Sequence, residues 1–117
     1  MNNYSLGLYE KALPNHLPLQ QKLAETKKAG FNFFEMSIDE SDEKLARLEW
    51  TRQERLSLVK AMFETGVPIS TICLSGHRRF PLGSESRQVQ IRSLEIMADA
   101  IKLASDLGVR IIQLAGY

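Results

Sequence analysis

Ala104-Ser-Asp-Leu-Gly108-Val-Arg-Ile-Ile112 runs a helical pattern into a glycine and straight on into an apolar, strand-like run. The same junction occurs at Thr26-Lys-Lys-Ala-Gly30-Phe-Asn-Phe-Phe-Glu35 and at Met62-Phe-Glu-Thr-Gly66-Val-Pro-Ile-Ser70. A glycine one step past a helix is the usual left-handed terminator, because it has no Cβ to clash there. The three glycines recur at intervals of 36 and then 42 residues, which reads as repeated βα units feeding a parallel sheet. With Tyr4–Tyr9 as an opening strand, the expectation is four strands and three main helices. That is a parallel (β/α) half-barrel, half of a (β/α)8 barrel, and it forms one domain over residues 1–117.

Working outward from those junctions, Pro18 suits the first turn of a helix running to about Ala29. Strand two is expected near Phe33–Ile38. The acidic stretch Asp39-Glu-Ser-Asp-Glu43 followed by Lys44 and Arg47 reads as a solvated start to a short helix, acid before base as the macrodipole prefers. Thr51-Arg-Gln-Glu54 matches a capping box, and Leu56, Val59 and Phe63 form the stripe expected to be buried on the helix it opens. Strand three is expected near Ile69–Leu74, followed by a long loop through Ser75–Glu85. The next helix has Leu94, Met97, Ala98, Ile101 and Ala104 as its expected apolar face, and Arg110–Ala115 is the fourth strand.

Strand alternation separates two faces. Leu6, Leu8, Phe34, Met36, Ile72, Leu74, Ile112 and Leu114 fall on one, which should pack under the helices. Ser5, Gly7, Tyr9, Phe33, Glu35, Ser37, Thr71, Cys73, Ser75, Ile111, Gln113 and Ala115 fall on the other, facing the barrel interior. Glu35 on that interior face needs a partner, because an unpaired carboxylate in a core is expensive. Its partner is expected on strands that this chain does not contain.

Composition narrows the function. The 117 residues are 44% hydrophobic, enough for a core, and fewer than the roughly 250 of a typical complete barrel. A formal net charge of +1, with 15 basic and 14 acidic residues interspersed, disfavours a nucleic-acid partner. The start Met1-Asn-Asn-Tyr-Ser-Leu-Gly-Leu-Tyr9 has no signal-peptide pattern, and no apolar run approaches the ~20 residues of a membrane span. With the single Cys73 excluding a disulfide framework, the expected compartment is the cytoplasm.

In a barrel of this kind the working residues sit at the carboxyl ends of strands and in the loops that follow. Those positions hold Tyr9 and Glu10, Glu35 and Ser37, the third loop from Ser75 to Ser84, and Gln113 and Tyr117. His77 can donate or accept at neutral pH. Arg78 and Arg79 offer forked donors to a phosphate or carboxylate, although the commoner reading of such a pair is a salt-bridged surface feature. Glu35 reads equally as site support or as a structural hydrogen-bond acceptor, and Tyr9 and Tyr117 equally as packing aromatics or substrate contacts. Cys73 reads as a small core residue and His16 as solvated. Two histidines, 61 residues apart and without H-x-x-x-H or C-x-x-C spacing, make no metal constellation.

Four segments carry a resemblance: Gly7-Leu-Tyr-Glu-Lys-Ala-Leu-Pro14, Phe34-Glu-Met-Ser-Ile-Asp-Glu40, Cys73-Leu-Ser-Gly-His-Arg-Arg-Phe-Pro-Leu-Gly-Ser84 and Ile112-Gln-Leu-Ala-Gly-Tyr117. Together they closely resemble the L-xylulose-5-phosphate (L-ribulose-5-phosphate) 3-epimerases, xylose-isomerase-like barrels of pentose phosphate metabolism and L-ascorbate breakdown. The resemblance covers the first four strands of that barrel. It implies a divalent-metal enzyme (Mn²⁺, Mg²⁺ or Zn²⁺) acting on a sugar phosphate, with metal ligands and acid–base carboxylates on strands of the second half. No position here matches those motifs, so no catalytic residue, metal ligand or cofactor is assigned to this chain, which is expected to be inactive alone. What the resemblance carries over is a substrate-side wall of Tyr9, Glu35 and His77, with Arg78 and Arg79 as phosphate candidates. A ketose-phosphate isomerase, such as one acting on hexulose 6-phosphate, is the related alternative. A self-associating, non-catalytic half-barrel is the alternative from another class, because unpaired edge strands invite a homo-oligomer.

Overall fold

The computed structural model describes residues 4–115, so Gly116 and Tyr117 lie outside the described residues. The order is β1 (Gly7–Tyr9), α1 (Leu19–Lys28), β2 (Phe33–Ile38), a short α2 (Asp42–Leu45), α3 (Arg52–Thr65), β3 (Ile69–Leu74), α4 (Arg87–Leu107) and β4 (Ile111–Leu114). The four strands form one parallel sheet in the order β1-β2-β3-β4, so each βα unit lays its strand beside the previous one. This is the expected half-barrel.

The junction glycines do what their positions require. Gly30, Gly66 and Gly108 have φ of 86°, 72° and 75°, in the left-handed region where a Cβ is strained. The capping box at the start of α3 is complete: Thr51 Oγ1 accepts from the Glu54 amide and Glu54 Oε1 accepts from the Thr51 amide, both at 3.1 Å. In β2 and β3 the two strand faces separate as the alternation demands, whereas Leu6 and Leu114, expected beneath the helices, are 48% and 47% exposed at the two ends of the sheet. Phe34, Met36, Ile38, Ile72 and Leu74 are fully buried beneath the helices with Leu23, Leu58, Ile96 and Leu103. On the opposite face the Phe33 ring lies over Gly7, so that a Cβ there would force the ring aside.

Four expectations are corrected. The first strand does not begin at Tyr4: its ladder covers Gly7–Tyr9 only, and Leu6 is instead held by the Asn32 side chain, whose Oδ1 accepts the Leu6 amide at 2.9 Å. The fourth is likewise shorter, Ile111–Leu114, because it pairs only with β3 across four registers. On α3 the buried residues are Leu58 and Ala61, while Leu56 and Phe63 are exposed at 56% and 84%. Apolar residues occupy several faces of this helix, so periodicity alone could not choose its inward one. On α4 the buried stripe is Ser93, Ile96, Ala100, Leu103, Ala104 and Leu107, leaving Leu94, Ala98 and Ile101 exposed. Ser93, Ala100 and Ala104 are small and buried in this stripe, and the serine among them, whose carbonyl meets His77, hid it from a hydropathy reading.

Candidate functional site

The carboxyl ends of β1, β2 and β3 converge on a set of polar side chains. In register, Tyr9, Glu35, Thr71 and Ile111 form one tier across the interior face, and Ser37, Cys73 and Gln113 form the next. Thr71 Oγ1 donates to Glu35 Oε2 at 2.6 Å, so the partner Glu35 needs stands on the adjacent strand of this chain rather than on an absent one. Tyr9 Oη donates to Ser37 Oγ at 3.3 Å. Burial pushes the Tyr9 phenol up to about 12, Ser37 pulls against that shift, and the neighbouring Cys73 adds to it. Tyr9 is therefore a neutral hydrogen-bond donor throughout the physiological range.

Directly after Tyr9, Glu10 is only 1% exposed and carries the densest set of polar contacts in the site. Arg47 clamps it with both terminal nitrogens, each at 2.6 Å; Lys22 Nζ lies at 2.7 Å, Lys44 Nζ at 2.9 Å and the Ser37 amide at 2.9 Å. Burial by itself would raise this carboxyl, but the Arg47 guanidinium, the Lys22 ammonium and the Ser37 amide together hold it well below the ordinary carboxylate range. Lys44 is lowered, first by burial and then by Arg47 and Lys22, with Glu10 opposing. The cluster joins the end of β1 to α1, β2, α2 and the 3-10 turn at Ala46–Glu49. Through the Ser37 amide it also sets the hydroxyl that Tyr9 meets.

The sequence reading placed Glu10 at a strand end but did not single it out, and read Lys44 and Arg47 only as helix-dipole complements. The overlooked signal is charge inside apolar stripes: Lys22 between Leu19, Leu23 and Thr26, and Arg47 between Leu45 and Leu48, all buried. A cation at such a position implies a buried carboxylate opposite it.

The third loop divides differently from its expected role. His77 is 2% exposed, and its Nε2 lies 3.0 Å from the Ser93 carbonyl, which fixes an Nε2–H tautomer and ties the loop to α4. Gly76 is packed so closely that an added Cβ would approach Leu45 Cδ2 to 2.9 Å. Arg78 and Arg79 are exposed and reach acidic residues of the segment after β2, Arg78 to Glu40 at 3.3 Å and Arg79 to Asp42 at 2.6 Å. Arg79 also lies over the Phe80 ring, 5.1 Å from its centroid. Tyr9, Glu35 and Ser37 are thus brought together, whereas His77 is turned towards α4 and the two arginines stand on the outer rim. His16 is exposed, as expected.

Among the described residues no three His, Cys, Asp or Glu side chains gather to hold a metal ion. The nearby candidates are otherwise engaged: Glu35 by Thr71, Glu10 by three cations, His77 by Ser93, and Asp39 by Lys11 and Ser41. This donor set does not fit a divalent cation. A cleft of about 620 Å³ lies on the outer layer between α1 and the start of α3, lined in part by Pro18, Gln20, Trp50 and Glu54, and is separate from the interior face. No described helix is long and apolar enough to cross a membrane.

Comparison with known proteins places the fold. SgbU of Escherichia coli (strain K12) is 56% identical over 117 residues, all of this chain and 41% of SgbU. The L-ribulose-5-phosphate 3-epimerase UlaE of Escherichia coli (strain SMS-3-5 / SECEC) is 56% identical over 112 residues, 96% of this chain and 39% of UlaE. The chain therefore spans about two fifths of the length of the curated relatives it matches. The crystal structure of D-psicose 3-epimerase in the presence of D-fructose superimposes with a TM-score of 0.78 at 16% identity, over 96% of this chain and 37% of that one, a likeness of fold. The D-psicose 3-epimerase of Clostridium cellulolyticum H10, solved with D-tagatose, matches equally well at 15% identity. The family model for the xylose isomerase-like TIM barrel matches residues 23–117, and the chain belongs to that family.

Proposed function

We propose that this chain forms one wall of a pentose-phosphate 3-epimerase site, of the kind that acts on L-ribulose 5-phosphate and L-xylulose 5-phosphate. The observation that carries the reading is the 56% identity to L-ribulose-5-phosphate 3-epimerases along nearly the whole chain. The chemistry of the interior face agrees with it. A polyol is recognised by fixed donors and acceptors, and the half-buried Tyr9, Glu35 and Thr71 supply both on adjacent strands, with the buried Ser37 holding the Tyr9 hydroxyl in place. Tyr9 remains protonated and can give its hydrogen to a sugar oxygen, and the second oxygen of Glu35 can accept from a hydroxyl. Arg78 and Arg79 are the phosphate candidates: a phosphate would have to compete with Glu40 and Asp42, but both pairs are solvent-exposed and therefore weak.

Epimerisation at C3 needs proton removal on one face of the sugar and delivery on the other. The divalent metal and the two carboxylates implied for that step are assigned to strands beyond the four present here. The 117-residue chain should bind sugar phosphate weakly and not turn it over. NMR titration with L-xylulose 5-phosphate should shift resonances of Tyr9 and Glu35, and Tyr9→Phe should weaken those shifts. An assay with added Mn²⁺, Mg²⁺ or Zn²⁺ should show no turnover; metal-dependent turnover that follows the purified chain would overturn the divided-site reading. Shifts of equal size with a ketohexose 6-phosphate would favour the isomerase alternative.

A further inference from the structure

β1 stops at Tyr9, opposite Glu35, while β2 runs on to Ile38. Successive residues of an inner strand turn their amide and carbonyl to opposite neighbours. Ile38 serves the β3 side, where its carbonyl accepts the Ser75 amide at 2.9 Å. Ser37 therefore turns to the β1 side, beyond the last rung of that ladder, and it is fully buried. A buried peptide without partners is costly, and here an ion pair supplies both. Glu10 Oε1 accepts the Ser37 amide at 2.9 Å, and Arg47 Nη1 donates to the Ser37 carbonyl at 3.1 Å. The same Nη1 lies 2.6 Å from Glu10 Oε1, and Nη2 lies 2.6 Å from Oε2, so the guanidinium is held in one orientation. Lys22 and Lys44 meet Oε2 instead.

We infer that Glu10 and Arg47 are positioning residues for substrate: their ion pair replaces the rung that β1 lacks and fixes Ser37, whose hydroxyl holds that of Tyr9 where it meets a sugar oxygen. The inference rests on the reading of Tyr9 as a sugar contact. Tyr9 is held at two points by the same carboxylate. Its backbone leads directly into the buried Glu10, and its hydroxyl meets Ser37 Oγ at 3.3 Å. That bond is already long, so a small shift of the Ser37 peptide would break it and free the phenol to wander. A donor fixed before the ligand arrives saves the cost of ordering it on binding. The arrangement also explains why the cation is an arginine. A lysine could neutralise Glu10, but its single nitrogen could not grip both carboxylate oxygens and the Ser37 carbonyl.

The test compares the wild-type 117-residue chain with Ser37→Ala, Arg47→Lys and the double variant by NMR, with circular dichroism to show each folded. Without ligand, the ring-carbon resonances of Tyr9, assigned by their loss in Tyr9→Phe, should move in both single variants. The double variant should move them no further than Ser37→Ala alone, because Arg47 acts through Ser37. Tyr9 resonances unmoved by Arg47→Lys, or shifts that simply add, would overturn the inference. If Arg47→Lys does not fold, Glu10→Asp takes its place, since it keeps the charge and withdraws the carboxylate from Ser37. Hydrogen exchange on the wild-type chain needs no variant at all: the Ser37 amide should exchange as slowly as the ladder amides of β2, and a fast one would overturn the inference. With L-xylulose 5-phosphate added, Arg47→Lys should weaken binding about threefold in the wild-type background and leave binding to Tyr9→Phe unchanged. Equal losses in both backgrounds would reduce the pair to a structural role and overturn the inference. If sugar phosphate moves no Tyr9 resonance of the wild-type chain, the epimerase reading falls, and the ligand-free comparison still decides whether the pair positions Tyr9.

Discussion

The two lateral ends of the sheet are built on different principles. At the β1–β2 end, Glu10 draws α1, α2 and the turn carrying Arg47 onto a single carboxylate, and the interior side chains beside it are already hydrogen-bonded to each other. At the β4 end, Ile111 and Leu114 are 58% and 47% exposed, and the strand pairs with β3 alone. The order at one end comes from groups within the chain, while the other presents apolar surface that this chain does not itself cover. Residues at the first end should therefore dominate the stability of the isolated chain, and those at the second should hardly register.

Removing the charge at Glu10 is the severest test. Glu10→Gln would leave three buried cations without their anion, and breaking a buried ion pair from one side typically costs about 3–5 kcal/mol. Urea denaturation followed by circular dichroism should show that loss, and a cost below about 1 kcal/mol would mean that the cluster does not organise this end. Among the cations, Lys44 should matter least, because burial and its like-charged neighbours already disfavour its charge. Lys44→Met should cost about 1 kcal/mol or less, and Arg47→Met, which removes a bidentate clamp, several times that.

Acid should expose the same cluster. The folded-state pKa of Glu10 lies below its ordinary value of 4.5, so an unfolded chain takes up this proton before the folded one does. Its stabilisation is complete above about pH 4.5 and is lost as the pH falls towards the depressed folded value. Asp39, lowered against its own burial by Ser41 and Lys11, adds to the same slope. Stability of the wild-type chain should therefore fall steeply below about pH 4.5, and Glu10→Gln should flatten that fall. Identical acid slopes in the two proteins would remove Glu10 as its source.

Hydrogen bonds of the interior face and the third loop should have intermediate effects. His77→Phe removes the bond to the Ser93 carbonyl and Tyr9→Phe removes the bond to Ser37, each worth about 0.5–1.5 kcal/mol. The two should part company in ligand titrations, where Tyr9→Phe weakens sugar-phosphate binding and His77→Phe acts only through the position of its loop.

What could be read from the amino acids, and what could not, divides along the same physical lines. Gly30, Gly66 and Gly108, the capping box at Thr51 and the alternation in β2 and β3 are local signals, because each is dictated by backbone sterics or by a period of two. They were enough for the parallel half-barrel and for the interior position of Tyr9, Glu35 and Ser37. The Glu10 cluster was not legible in the same way, since its members are separated by up to 37 residues and only the closed fold shows that they meet. The direction of His77 was hidden for a related reason: a strand-end position does not say which way the ring turns, and in the fold its Nε2 meets the Ser93 carbonyl of α4. On α3 two apolar stripes compete within one helix, and the contacts made by the opposite one turned Leu56 and Phe63 outward.

The smallest expected effect is the sharpest test of the contrast between the two ends. Ile111→Ser and Leu114→Ser exchange exposed apolar side chains on β4 for small polar ones, and exposed positions free of buried partners usually change stability by less than about 0.5 kcal/mol. Under dilute, monomeric conditions the midpoint of urea unfolding should be nearly unchanged. Because β4 still keeps its ladder to β3, a loss well above 1 kcal/mol could not come from the backbone pairing or from the exposed face. It would mean that these side chains are covered in solution. If the loss grew with protein concentration, the cover would be another copy bound at this edge.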